Sequence, residues 1–383
     1  MKNVLFSLIT LSLLLTGCWD IHEAERMVYV HGMGVDYKDG KYTVYFQFIN
    51  LSLLAKAEST KGSQDITSEI GHATGDSIQE AVFQMYKSTQ RRIFWGHLTY
   101  IIFSEDTLKV GGMQPVLDFL DRYTEAHYNV WLYATQASIL EVLNSIPSLG
   151  MSTDLSRLSD PISTHNQYSI IRPLDLKDLI IFSDEPPHEV ILPLVDVAEQ
   201  QWEADNKPRA LTNIKGLTVI TKDRFKGNIM NHQADGFKWM DKQFKQAEIS
   251  LKGKNNTNYG VLVKNLHFYI HPFLENTTVR FDIFVHADGS INQLEREETL
   301  QTIRKATEAL LTKEITETYM HGLEIEVDLF RFSEIIYRRN FIIWKDIKKE
   351  GKIPLTKDSI RKINVNVNIT DSRKQRKIPT LNK

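Results

Sequence analysis

The chain of 383 residues contains one cysteine, Cys18. A single thiol excludes an internal disulfide framework, a cysteine-built zinc site and a CxxC redox pair, so the folded part must be held by its apolar core. An excess of charge of one sign is also lacking: 46 Lys and Arg stand against 48 Asp and Glu, for a formal net charge of −2. Without a global basic field, nucleic acid is not an expected partner. Beyond residue 17 no apolar run approaches the roughly 20 residues of a membrane-spanning helix; stretches such as Leu98 to Phe103 are strand-sized. The sequence holds no GxxxxGKS/T phosphate loop, no HExxH zinc helix and no GxSxG nucleophile elbow. The glycine pair in His31-Gly32-Met33-Gly34 follows one strand-like run and precedes another, so it reads as a bend and not as a phosphate loop. The histidines are scattered. His22 and His31 lie near Asp20 and Glu23, but without the spacing of a helical metal pair. No catalytic residue, cofactor or metal is therefore expected, and the chain reads as a non-enzyme.

What is present begins at the N-terminus. Met1-Lys2-Asn3 is followed by VLFSLITLSLLL, Val4 to Leu15. A helix of about twelve residues rises about 18 Å, short of the about 30 Å hydrocarbon core, so this is the pattern of a secretory signal and not a span. The exit, Leu15-Thr16-Gly17-Cys18, resembles a bacterial lipobox. Small residues suit a peptidase cleft, and a thiolate attacks carbon better than a hydroxyl does. Residues 1–17 are thus expected to be a lipoprotein signal peptide, and Cys18 to carry an S-diacylglyceryl group, with or without an added N-acyl chain. The plainer alternative is an ordinary signal with an incidental thiol. Taking 17 residues from 383 leaves 366, enough for two or three domains.

Periodicity predicts a mixed α+β body. Met27 to Asp36 and Lys41 to Ile49 read as strands around an Asp-Gly turn. After Leu51 to Ile66, read as a loop, the period changes from Ile70. Thr74 or Asp76 can cap a helix carrying Ile78, Ala81, Val82 and Met85 on one face. Strands follow at Leu98 to Phe103 and Asn129 to Ala134, helices at Met113 to Arg122 and Ala137 to Leu143. Ser145 to Gln167 is a long connection, and Leu174 to Ile181 a short helix. Pro186-Pro187 marks a boundary. Strands at 190–197, 212–221 and 226–230 and a short helix at Ala234 to Met240 lead to the polar KGKNNTN of 252–258. Two alternating strands come next, from Val261 and from Thr277. A long helix over Leu294 to Tyr319 has Leu300, Ile303, Ala306, Leu310 and Leu311 as its stripe. A helix near Asp328 to Arg338 and the strand INVNVNIT of 363–370 close the chain. The expected division is 18–185, 186–258 and 259–370, three domains of mostly antiparallel sheet with flanking helices, then a basic tail at 371–383.

Two basic clusters remain. Arg91-Arg92-Ile93-Phe94-Trp95-Gly96-His97 offers Arg91, Arg92, Trp95 and His97 as a partner surface, since Arg and Trp favour interfaces; the alternative puts Phe94 and Trp95 in the core. The tail, with Arg373, Lys374, Arg376, Lys377 and Lys383, either touches anionic headgroups or stays solvated.

Three stretches carry a resemblance: Gly17-Cys18-Trp19-Asp20 with Glu23; Phe94-Trp95-Gly96-His97 with Leu117-Asp118-Phe119-Leu120-Asp121-Arg122; and Asp328 to Thr370 with Phe330, Trp344 and INVNVNI. In this order they resemble the Ger(x)C family, the C-subunit lipoproteins of the nutrient germinant receptors of spore-forming bacteria. The resemblance implies a lipid-anchored, non-enzymatic subunit on the outer face of the spore inner membrane. It would assemble there with membrane-embedded A and B subunits, its one chemical site being the lipid on Cys18. Whether such a subunit binds nutrient itself stays open. The basic tail departs from what the last strand needs. Two other classes stay in view: a solute-binding lipoprotein of an import system, against which the hairpin-rich pattern counts, and an anchored hydrolase, for which no motif is present.

Overall fold

The computed structural model describes residues 27–49, 68–145, 153–185, 189–198, 201–204, 207–222, 224–252, 258–275, 278–294 and 298–370. β1 (Met27–Lys38) and β2 (Lys41–Ile49) form the expected hairpin. Its turn has positive φ at both Asp39 (52°) and Gly40 (80°), the twist that matches flanking strands. β3 (Ser68–Gly75) pairs antiparallel with β2, where the sequence suggested the onset of a helix. The helix α1 (Ile78–Ser88) starts later, and its N-cap is Ser77, whose hydroxyl accepts from Glu80 N–H. Thr74 and Asp76 fall just before that cap.

β1 then serves as the centre of a mixed sheet. β4 (Arg92–Phe94) and β5 (Tyr100–Ser104) pair parallel with it. β6 (Trp131–Thr135) and β7 (Glu189–Ala198) extend the parallel set. The residues at 203–204 and 207–208 make a separate two-stranded ribbon, β8 and β9. β10 (Leu211–Thr221) and β11 (Arg224–Met230) complete the far edge antiparallel. The order is β11-β10-β7-β6-β5-β1-β2-β3. Between strands run α2 (Glu105–Lys109), α3 (Met113–Leu120) and α4 (Ile139–Asn144). The connection expected at 145–167 holds a 3₁₀ turn, Thr153–Leu155, and the helix α5 (Pro161–Gln167), which has Pro161 at its first position and Asp160 as cap. α6 (Leu176–Asp184) follows.

The glycines of 32 and 34 do not break β1 into a bend. They are required by neighbours: a Cβ on Gly32 would lie 2.4 Å from the Tyr100 ring, and one on Gly34 2.2 Å from Ile139. The register shifts between Val30 and Gly32, leaving His31 as a bulge.

The second sheet runs β12 (Gln246–Lys252), β13 (Asn258–Glu275), β14 (Thr278–Leu294), β15 (Ile360–Thr370). β15 pairs parallel with β14, the other neighbours antiparallel. Across the two sheets antiparallel pairs outnumber parallel ones, as the mixed α+β reading expects. The helix α7 (Leu300–Glu324) buries Ile303 and Leu311 of the expected stripe and half-buries Ala306 and Leu310 against the same core; Leu300, at the helix start, is 46% exposed, and Thr307, Ile315, Thr318 and Tyr319 extend the buried face. Its threonines can enter because their hydroxyls are satisfied: Thr307 donates to Ile303 O and Thr318 to Gln233 O. α8 (Phe332–Arg339) and α9 (Phe341–Ile347) follow. β7, β10 and β11 join the first sheet, whereas the 3₁₀ run Asn231–Met240 packs on α7 and β12 on β13. One core is continuous across both sheets, joining Leu217, Val219 and Ile229 with Phe281 and Phe332.

Candidate interaction site

Glu189, the first residue of β7, is 5% exposed. Its two oxygens accept from Lys352 Nζ and Asp328 N–H, each at 2.8 Å. Lys352 also donates to Glu326 O at 2.8 Å. The Asp328 carboxylate accepts in turn from Phe332 N–H at 2.9 Å and Ser333 N–H at 2.6 Å, and so caps α8. Burial, with the nearby Asp328 charge, pushes the Glu189 carboxyl up to about 7, against the pull of Lys352. Burial likewise raises Asp328. The buried Glu189, holding the Lys352 ammonium and the Asp328 N–H, forms a clamp between the first sheet and the 326–352 segment. A second tie lies outside it: Arg338 donates to both Glu185 oxygens at 2.8 and 2.9 Å, and its Nε is 2.9 Å from Glu334.

Beside these ties lies a cleft of about 550 Å³ with Phe182, Ile191, Phe237, Phe268 and Leu329 in its walls. That is within the size of small-molecule pockets, about 300–1,000 Å³. Three rim guanidiniums are already matched: Arg172 to Asp178, Arg331 to Glu334, Arg338 to Glu185.

Serine, histidine and aspartate also stand in a line, through a hydrogen bond and an ion pair. His31 Nε2 is 2.8 Å from Ser159 Oγ, and Nδ1 is 3.4 Å from Asp154 and 3.2 Å from Thr99 Oγ1. The order is that of a hydrolytic triad, but Ser159 is 8% exposed and His31 1%. Burial depresses the imidazole against the Asp154 charge. The line fastens residues 153–159 to the β1 bulge. Among the described residues no group of three His, Cys, Asp or Glu is placed to hold a metal ion.

The candidate residues from the sequence separate. Cys18 lies outside the described residues. Arg91, Arg92 and His97 are exposed. Trp95 is not part of that surface: it is fully buried, with Phe46, Phe119 and Tyr123 rings at 5.1, 5.3 and 5.3 Å and its Nε1 donating to Tyr86 Oη at 3.4 Å. Strand β4 explains this, because alternation turns Ile93 and Trp95 to one side. Arg92 pairs with Met27, at the end of the sheet where the chain arrives from residue 26. Sequence reasoning missed Glu189, whose partners are 139 and 163 residues away.

Residues 20–197 match the family described as "Spore germination protein N-terminal domain", and residues 215–373 the one described as "Spore germination B3/ GerAC like, C-terminal". Among curated proteins, spore germination protein KC of Bacillus subtilis is 24% identical, over 91% of this chain and 90% of its own. Spore germination protein B3 of the same organism is 25% identical over 73% and 72%. A crystal structure of the GerBC protein superposes with a TM-score of 0.55 at 14% identity, covering 88% of this chain and 96% of that one; it bears on the fold. The two matched domains, in this order on a two-sheet α+β body, define a spore germination protein. The chain belongs to the Ger(x)C family.

Proposed function

We propose that the protein is a lipid-anchored, non-enzymatic subunit of a nutrient germinant receptor, held at the spore inner membrane through Cys18 and assembled with membrane-embedded A and B subunits. The observation that carries this reading is the lipobox-like Leu15-Thr16-Gly17-Cys18 standing directly before the matched family domains, which begin at residue 20. Two acyl chains give the stable tether that one chain does not, at about 0.8 kcal/mol per buried methylene. Tethering confines the body to a thin layer and raises its effective concentration for membrane partners. No helix among the described residues is long and apolar enough to cross a membrane. In spores carrying Cys18→Ala, the protein is expected to leave the membrane fraction, to stop co-purifying with membrane-embedded partners and to weaken the nutrient response. Full germination with the variant in the soluble fraction would sink the proposal.

The cleft of about 550 Å³ favours a second reading, a solute-binding lipoprotein of an import system. Calorimetry of the body with amino acids and sugars separates the two: saturable binding at the cleft supports it, and heats of dilution alone remove it.

A further inference from the structure

We propose that the corner between α8 and α9 is a second membrane contact, inserting Phe341 and Ile342 into a lipid surface with anionic headgroups and so fixing the orientation of the body. This deepens the anchored reading, on which it rests for the distance to the bilayer.

Ile342 is 73% exposed, the most exposed large apolar side chain among the described residues, and Phe341 is 53% exposed. Helical geometry places them there. α9 starts at Asn340, whose side chain accepts from Ile343 N–H. It buries Trp344 and half-buries Ile343 and Ile347, which leaves Phe341, Ile342, Lys345 and Asp346 exposed on the helix and Lys348 and Lys349 exposed just past its end. The apolar tip is held in place: the Phe341 ring lies 5.6 Å from Trp344 and 5.7 Å from Tyr337.

Charge then selects the partner. From Arg338 to Lys349 the chain has five basic residues and one acidic, Asp346. Arg338 is spent on Glu185, and Lys348 sits 4.1 Å above the Trp344 ring. Arg339, Lys345 and Lys349 are exposed and have no ion-pair partner among the described residues. A protruding apolar pair flanked by unpaired cations is the pattern of an interfacial membrane contact, in which apolar groups enter the headgroup boundary and cations meet anionic lipid.

Topology supplies an independent reason. Val35, Phe103, Ala134 and Leu194 form one row across the parallel strands β1, β5, β6 and β7. Counting back from that row, Met27 and Glu189 lie toward the same end of the sheet, three strand spacings or about 14 Å apart across it. Glu189 grips Lys352, and Glu185 grips Arg338. The corner is therefore fastened to the end of the sheet at which the chain enters. Eight residues lie between Cys18 and Met27, so the nine Cα steps reach at most about 30 Å. An anchored Cys18 thus keeps this end near the bilayer, with Arg91 and Arg92 beside it, while the Asp39-Gly40 turn faces away.

The test uses the full lipidated protein. Its one native cysteine is acylated, so Ile342→Cys provides a single thiol for an environment-sensitive fluorophore. Lys38→Cys, exposed at the opposite end of β1, is the control. With phosphatidylglycerol-rich vesicles in large excess, the probe at 342 is expected to shift to the blue and to be quenched by spin-labelled lipid about two-fold or more above the probe at 38. Phosphatidylcholine vesicles, high salt, or Lys345→Glu with Lys349→Glu should remove most of the difference. Equal quenching at 342 and 38 overturns the proposal. So does a response at 342 that requires the partner subunits and ignores lipid charge, which assigns the corner to a protein partner. Flotation of the same samples scores the Cys18 anchor separately.

Discussion

Two stretches of this chain have nearly the same composition and opposite fates. Arg91-Arg92-Ile93-Phe94-Trp95 and Arg338-Arg339-Asn340-Phe341-Ile342-Ile343-Trp344 each set an arginine pair before large apolar residues that end in tryptophan. In both the tryptophan is buried, 0% exposed at 95 and 4% at 344. What differs is the period. A strand turns alternate residues inward, so Ile93 and Trp95 enter the core together and Phe94 is half-buried. A helix turns about 100° per residue, so Ile342 lies on the side opposite the buried Trp344 and faces solvent, while Phe341, one turn before Trp344 and stacked on its ring, is exposed because it is the first residue of α9. Composition marks both stretches as candidates for recognition, and the backbone decides which of them has apolar surface left to offer.

The strongest way to break this comparison is Trp95→Ala. If the first cluster is core, the variant loses about 3–5 kcal/mol in urea unfolding; a loss under about 1 kcal/mol would return Trp95 to the surface role.

Next in size is the clamp under the second cluster. Lys352→Met leaves Glu189 buried beside Asp328 without its cation, at an expected cost of about 3–5 kcal/mol at pH 8. The sign with pH follows from the raised Glu189 carboxyl. Its contribution to stability is fully present below the ordinary carboxylate range and is lost as pH rises through about 7, because the unfolded chain has already released a proton that the folded one still holds. The wild type should therefore lose stability from pH 5 to pH 8, and Lys352→Met should do so more steeply, with a smaller deficit at pH 5. A deficit equal at the two pH values would show that Glu189 is not the group involved.

Smaller still is Arg338→Ala. Its side chain is 58% exposed, and the pair with Glu185 is screened, so about 0.5 kcal/mol is expected. The smallest effect is Ile342→Ser, within about 0.5 kcal/mol of wild type. That contrast with Trp95→Ala is the comparison in one experiment, since a functional surface can lose its apolar group without unfolding the protein.

Much of the architecture was legible in the sequence where local pattern decides. The β1–β2 hairpin follows from Asp39-Gly40 between alternating runs, and β2 over Lys41–Ile49 matches its expected limits. β15 alternates apolar and asparagine residues, and it is an edge strand with the asparagines at 366 and 368 exposed. What escaped reading depends on distant partners. Gly32 and Gly34 look like a break until Tyr100 and Ile139 are seen to fill their space. β3 is too rich in small residues to show a strand pattern, and its Gly71 makes room for Met85. The α7 stripe was read through Ile303 and Leu311, but its widening by Thr307 and Thr318 was not, because their burial depends on hydroxyls satisfied by Ile303 O and Gln233 O. Among the site residues, Arg91, Arg92 and His97 are at the surface as read, Trp95 is not, and the α8–α9 corner was passed over because the helix reading ended near Arg338 and gave residues 339–349 no element.

The account rests on one covalent bond, and mass spectrometry of the N-terminal peptide from spore membranes tests it most directly. The account predicts a chain that begins at Cys18 and carries a diacylglyceryl group on sulfur. A chain recovered from the soluble fraction with residues 1–17 attached, or with Cys18 as a free thiol, would contradict it.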